Sequence, residues 1–227
     1  MTASARAPIV VGVDGSPPSY RALDWGLAAA QRRDVVVVGN RGRGGFHSLL
    51  AGSVSVHTAA YGRCPVVVAR PHRTPQTGDG TPHHGVGRVV GGVDGSELSD
   101  AAVGFAFREA AEREVGLTAV HCWQLPVPAG PSDVALVMCA DGVDYEAQGK
   151  ELLVRALSPF QERYPRIAVH TVVVRDNPAA TLVGESAGAE LLVVGSRGYG
   201  GFTGLLLGTV SHAAIHHAAC PVAVVHR

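Results

Sequence analysis

The stretch ELLVVGSRGYGGFTGLLLGTVSHAAIHHAACPVAVVHR (190–227) has the most informative spacing in the chain. Its near-continuous apolar run ends at Gly195, as in a strand covered on both faces. Gly195 and Gly198 stand together there, and nine residues later come Gly208 and Thr209. Glycines just past a strand let the backbone approach a ligand with no Cβ in the way. The segment after Gly208 opens a helix, whose unpaired N–H groups and dipole favour an anion. A hydroxyl at Thr209 can donate to a phosphate oxygen or stand near a bound metal. A glycine-rich turn that only permits close strand–helix packing would contain the same glycines.

The pattern occurs twice. DVVVVGNRGRGGFHSLLAGSVSVHTAAYGRCPVVVAR (34–70) places Gly39 and Gly42 nine residues ahead of Gly52-Ser53. Recurrence with a hydroxyl residue each time favours a ligand over a packing turn. The openings repeat as well: PIVVGVDGSPPSYRALDWGLAAA (8–30) parallels RVVGGVDGSELSDAAVGFAFREAA (88–111). Asp14 and Asp94 lie 80 positions apart, whereas Gly39 and Gly195 lie 156 apart, so the first copy is 76 residues shorter between its motifs. The expected organisation is an incomplete domain over 1–70, a Pro-, Gly-, Thr- and His-rich linker over 71–87, and a complete domain over 88–227.

The second copy fills the missing interval. GLTAVHCW (116–123) and RIAVHTVVVR (166–175) read as strands, Val143–Tyr164 as a helix, and Asn177-Pro178 as a helix start with proline where its absent N–H does no harm. Strand and helix patterns alternate, which argues a parallel α/β sheet. The first copy reads β-α-β-α-β, three strands at most. Its first helix must lead straight to the glycine-loop strand, so either it changes face or the crossover breaks the right-handed rule. It also leaves an exposed sheet edge. Such a unit is expected to lean on the second copy or on another chain.

Composition narrows the field. The chain has 227 residues, 46% apolar and 17% charged, with 19 basic and 19 acidic side chains. No basic stripe argues for nucleic acid, and no apolar run approaches a membrane span. The N-terminus lacks the apolar core of a signal peptide. Cys64, Cys122, Cys139 and Cys220 show no C-x-x-C spacing, which suits reduced thiols in a cytoplasmic protein. The lone lysine, Lys150, is far from either glycine loop, so no P-loop is present; Thr203 stands where G-x-G-x-x-G needs its last glycine.

The Val-Asp-Gly-Ser end of strand one, the G-x-x-G-(nine)-G-[ST] loop and the following Cys-Pro-Val strand resemble the universal stress protein family. The resemblance spans the whole second copy and only the two ends of the first. It implies a tandem member with an internally shortened first domain. The fold implied is a three-layer α/β sandwich with a five-stranded parallel sheet of order 3-2-1-4-5. It further implies binding of ATP or another adenine nucleotide, with magnesium. Asp94 would sit beside base and ribose, and the backbone at Cys122 against the adenine. Gly195, Gly198, Gly208 and Thr209 would hold ribose and phosphates, with Ser211 nearby. Asp14, Gly39, Gly42, Gly52 and Ser53 match those roles in the first copy, which has no counterpart of the adenine strand.

Other polar and aromatic residues have plainer readings. Asp94 also suits a cap of the following helix. Arg41 and Arg197 fit solvated loop positions as well as phosphate partners. His212 and His216 have metal-pair spacing, yet no third ligand is apparent, and His217 joins them in an ordinary final helix. Trp25 and Trp123 suit packing, with Trp123 close to the adenine strand. No nucleophile–base–orienter set emerges, so a non-enzymatic nucleotide-responsive protein of stress regulation is expected, with slow ATP hydrolysis at most. The alternative is a nucleotide-free interaction module, in which PVVVAR and PVAVVHR pair within the chain or an exposed edge recruits a second chain.

Overall fold

The computed structural model describes residues 9–14, 16–29, 35–40, 51–73, 83–124, 144–198 and 206–226. The elements are β1 (Ile9–Gly12), α1 (Pro17–Ala29), β2 (Val35–Gly39), α2 (Ser53–Tyr61), β3 (Val66–Ala69), β4 (Val89–Gly92), α3 (Glu97–Arg113), β5 (Leu117–Trp123), α4 (Tyr145–Arg163), β6 (Val169–Arg175), α5 (Pro178–Glu185), β7 (Leu191–Gly195), α6 (Thr209–His217) and β8 (Val222–Val225). All the strands join one sheet in the order β1-β2-β3-β8-β7-β4-β5-β6. Every neighbouring pair is parallel except β3 and β8.

The helix starts follow local chemistry. Ser96 caps α3 by accepting from the Ser99 N–H at 3.2 Å, with Glu97 and Asp100 in the first turn to complement the dipole. Asp144 caps α4 and Asn177 caps α5, the latter accepting from Ala179 N and Ala180 N. The helices lie in two layers. Ala22 of α1, Val103 and Phe107 of α3 and Leu153 and Leu157 of α4 pack on one face of the sheet. Ala59 of α2, Leu182 of α5 and Ala214 and Ile215 of α6 pack on the other. Each fully buried Leu, Ile or Phe contributes about 1.5–3 kcal/mol relative to exposure.

β3 and β8 join the two halves. Val66, Val67 and Val68 face Val224, Ala223 and Val222 in antiparallel register, and all six are 0% exposed. Reciprocal contacts flank this seam. Buried Arg70, just past β3, donates to the carbonyls of Ala214, Ile215 and His216 at 3.2, 2.9 and 3.2 Å, capping the end of α6. His226, just past β8, places Nε2 2.9 Å from Ala59 O at α2 and Nδ1 3.1 Å from Cys64 O. Residues 9–70 therefore lean on residues 85–226 through their last strand and helix.

Residues 9–70 meet the crossover conflict without moving their helix. α1 and α3 share a face, and the chain moves the same way across the sheet from β1 to β2 as from β4 to β5. The strands of the two segments run in opposite directions, so the two crossovers have opposite hands. One of them departs from the right-handed rule, which holds in about 98% of such units.

The linker stretch is less loose than its composition suggests. Arg73 N donates to Ala219 O at 2.7 Å, Gly188 N to Arg73 O at 3.0 Å, and Gly87 N to Gly188 O at 2.9 Å. Gly188, after α5, thus holds both ends of the stretch, with Ala219 after α6 adding to the first, while 74–82 lie outside the described residues.

Candidate functional site

The glycine loop is built on backbone hydrogen bonds. Ser196 N donates to Val225 O at 2.8 Å, and Gly208 N returns to Ser196 O at 2.8 Å. Buried Ser211 donates its hydroxyl to Gly195 O (2.8 Å) and Ser196 O (3.1 Å), so it holds the loop from beneath. Gly208 precedes α6 with extended backbone and no side-chain cap. The first-turn N–H groups of α6 are thus left without the usual capping oxygen. A Cβ on Gly198 would lie 2.5 Å from Asp94 Oδ2.

Asp94 is fixed in turn. Its Oδ1 accepts from Ser96 N at 3.0 Å and Ser96 Oγ at 2.7 Å, and its own N–H donates to Ser99 Oγ at 3.1 Å. Gly95 allows this fold-back, with φ of 80° in the left-handed region.

Asp94, Cys122, Gly195, Gly198, Gly208, Thr209 and Ser211 all line one cleft of about 380 Å³. It opens where β4 and β7 end side by side and their chains depart to opposite sides, the usual ligand position in doubly wound sheets. Sequence reasoning missed its apolar wall, made by Val120, Pro178, Leu182 and Val210, and left Ser99 unremarked. Leu182 had one signal: Gly92 leaves room for it, since a Cβ there would meet Leu182 Cδ1 at 2.9 Å. Arg197 also lines the cleft.

Burial pushes the Cys122 thiol up to about 11, against a lowering hydrogen bond with Thr181. It is a neutral wall residue at neutral pH, not a nucleophile. Trp123 turns elsewhere, stacking on Tyr145 at 5.2 Å with Arg175 5.6 Å from its ring. His212 and His216 stand 4.5 Å apart on α6. His216 titrates below its ordinary value, first through burial and then through His212, His217 and Arg70.

The first segment repeats the loop's two backbone bonds. Asn40 N donates to Ala69 O at 3.0 Å and Gly52 N to Asn40 O at 2.8 Å. Ser55 donates to Gly52 O and Asn40 O, and Asp14 Oδ1 accepts from Ser16 N and Oγ. Ser53 opens α2, and Gly42 lies outside the described residues. The cleft wall is what differs. Val13 is 50% exposed where its counterpart Val93 is 4% exposed, and Val10 is 58% exposed against 0% for Val90. Among the described residues β1 is an edge strand, with no neighbour where β5 supplies Val120 and Cys122.

A universal stress protein of Mycobacterium tuberculosis is 43% identical over 194 residues, 84% of this chain and 61% of the relative. One of Mycolicibacterium smegmatis is 40% identical over 203 residues, 88% of this chain and 64% of the relative. The chain thus spans less than two thirds of the length of either. Universal stress protein UspA from Lactobacillus plantarum shares the fold with a TM-score of 0.52 at 20% identity, over 62% of this chain and 97% of that one. The universal stress protein family model matches residues 85–226, and the chain belongs to that family.

Proposed function

We propose that the cleft of residues 88–227 binds an adenine nucleotide, ATP foremost, and that its occupancy regulates conformation or partners in a cytoplasmic stress response. The observation behind this is the uncapped start of α6 opening, with Thr209, into the same cleft as an apolar wall and Asp94. A flat base needs the wall, a ribose needs the carboxylate, and phosphates need N–H groups and a hydroxyl. Among the described residues no group of three His, Cys, Asp or Glu side chains could hold a metal ion. Magnesium would come on the nucleotide phosphates, with the Thr209 hydroxyl beside it.

We read the chain as a non-enzyme. Asp94 is the only carboxylate among the described residues lining the cleft, and its Oδ1 is committed to Ser96. Residues 1–70 are read as a shortened first copy whose nucleotide site lacks its adenine wall. The interaction-module reading keeps one specific support, the β3–β8 seam. Freshly purified protein, heat-denatured and analysed by chromatography and mass, separates the two. About one ATP or ADP per chain supports the nucleotide reading, whereas no nucleotide and no thermal shift with ATP and magnesium leaves the interaction module.

A further inference from the structure

A second, smaller cleft of about 190 Å³ lies where residues 9–70 meet the last helix. Arg21 of α1, Asn40 after β2, Arg70 and Arg73 after β3, and His216 and His217 at the end of α6 line it. Three arginines, charged at any physiological pH, thus line one cleft. No acidic side chain is among the described residues of the lining.

Arg70 has a structural assignment, since it donates to the α6 carbonyls and offsets the negative end of that helix. Arg21 and Arg73 add charge beyond what the helix end needs. Among the described residues, Arg21 Nε is a buried donor without a hydrogen-bond partner. A buried donor of this kind calls for an acceptor that the protein itself does not supply. The backbone of Arg73 is pinned by Ala219 and Gly188, so its side chain starts from a fixed point.

The site is separate from the nucleotide cleft, because the two share no lining residue. Nor is it a repeat of a feature in the other half. Ala101 stands at the position matching Arg21, and Ser196 at the one matching Asn40. Its volume is below the roughly 300 Å³ at which small-molecule pockets begin, which suits one tetrahedral anion and excludes a whole nucleoside.

We propose that this cleft binds a phosphate-type oxyanion, held by Arg21 and Arg73, which ties residues 9–70 to the end of α6. An anion bound there stabilises the folded chain by mass action.

The test is thermal unfolding of the full chain in inorganic phosphate, against sodium chloride of equal ionic strength. A parallel series in ribose 5-phosphate separates the free ion from a phosphomonoester. Wild type is expected to show a saturable rise in Tm with phosphate. Arg73→Gln, at an exposed position where folding is not at stake, and Arg21→Gln should each weaken the apparent affinity at least tenfold. Gly208→Val, which alters the other cleft, should leave the phosphate effect unchanged, so failure of the nucleotide reading would not remove it. A rise with phosphate alone identifies the free ion, and a rise with both identifies a phosphate monoester group. No rise beyond chloride, a rise that survives both arginine changes, or one lost in Gly208→Val would overturn the proposal.

Discussion

Gly198 stands so near Asp94 that a Cβ on it would lie 2.5 Å from the carboxylate Oδ2. The carboxylate cannot simply swing aside, because Ser96 holds its other oxygen through both N–H and hydroxyl. Gly198→Ala should therefore displace Asp94 and weaken ATP binding at least tenfold, or about 1.4 kcal/mol. Asp94→Asn keeps the shape and should lose less than Asp94→Ala. Isothermal titration of the three variants, with circular dichroism to confirm folding, checks this order.

The two loops differ in how much backbone crowds their glycines. A Cβ on Gly39 would lie 2.8 Å from the backbone C and O of Pro18, whereas one on Gly208 meets nothing nearer than Arg197 Cα at 3.4 Å. Gly39→Ala should cost about 1–3 kcal/mol of stability as an overpacking change. Gly208→Ala should stay within about 0.5 kcal/mol of wild type. Urea unfolding followed by tryptophan fluorescence measures both.

Arg70 is expected to matter more for stability than any exposed charge. Arg70→Met would leave the carbonyls of Ala214, Ile215 and His216 without their donor. The expected loss is about 2–3 kcal/mol, from charge-assisted hydrogen bonds removed at a buried helix end. Lysine should not rescue it, since one ammonium cannot reproduce the fork. The midpoint of urea unfolding should fall with its slope unchanged.

The Cys122 thiol gives a pH prediction. Its pKa is raised by burial from 9.0 to about 11, so folding favours the protonated form. The stability owed to this group is complete below about pH 9 and is lost as pH rises toward 11. Cys122 should react slowly with iodoacetamide at pH 8, and more slowly still with ATP bound. Peptide mapping of labelled protein reads both effects.

Five of the eight exposed large hydrophobic side chains among the described residues, Val10, Val13, Tyr20, Val54 and Tyr61, belong to residues 9–70. Val54 is 70% exposed, while its counterpart Val210 packs against the core beside α5. With no equivalents of β5 and α5, the β1 edge is expected to pair with a second copy of the chain. Sedimentation velocity should show a concentration-dependent dimer that Val10→Lys converts to monomer. A wild type that stays monomeric at high concentration would remove this expectation.

What could be read from sequence was local and periodic. The spacing of Gly195, Gly198 and Gly208 against Gly39 and Gly52 became two loops with the same backbone hydrogen bonds, because a fixed spacing after a strand largely dictates a local path. Asn177-Pro178 marked the start of α5 for the same reason. The apolar wall was hidden, since Val120, Leu182 and Val210 look like any core residue until the fold aligns them. Arg70 and His226 were hidden too: they occupy matched positions but differ in chemistry, and their partners lie 144 to 167 residues away. No short-range pattern encodes such a contact.

The most direct test of the account is a calorimetric titration of nucleotide-free protein with ATP and magnesium, alongside Gly198→Val and Asp14→Ala. The account predicts one site per chain, lost in Gly198→Val and retained in Asp14→Ala. Two sites per chain, binding that survives Gly198→Val, or no binding to folded wild type would contradict it.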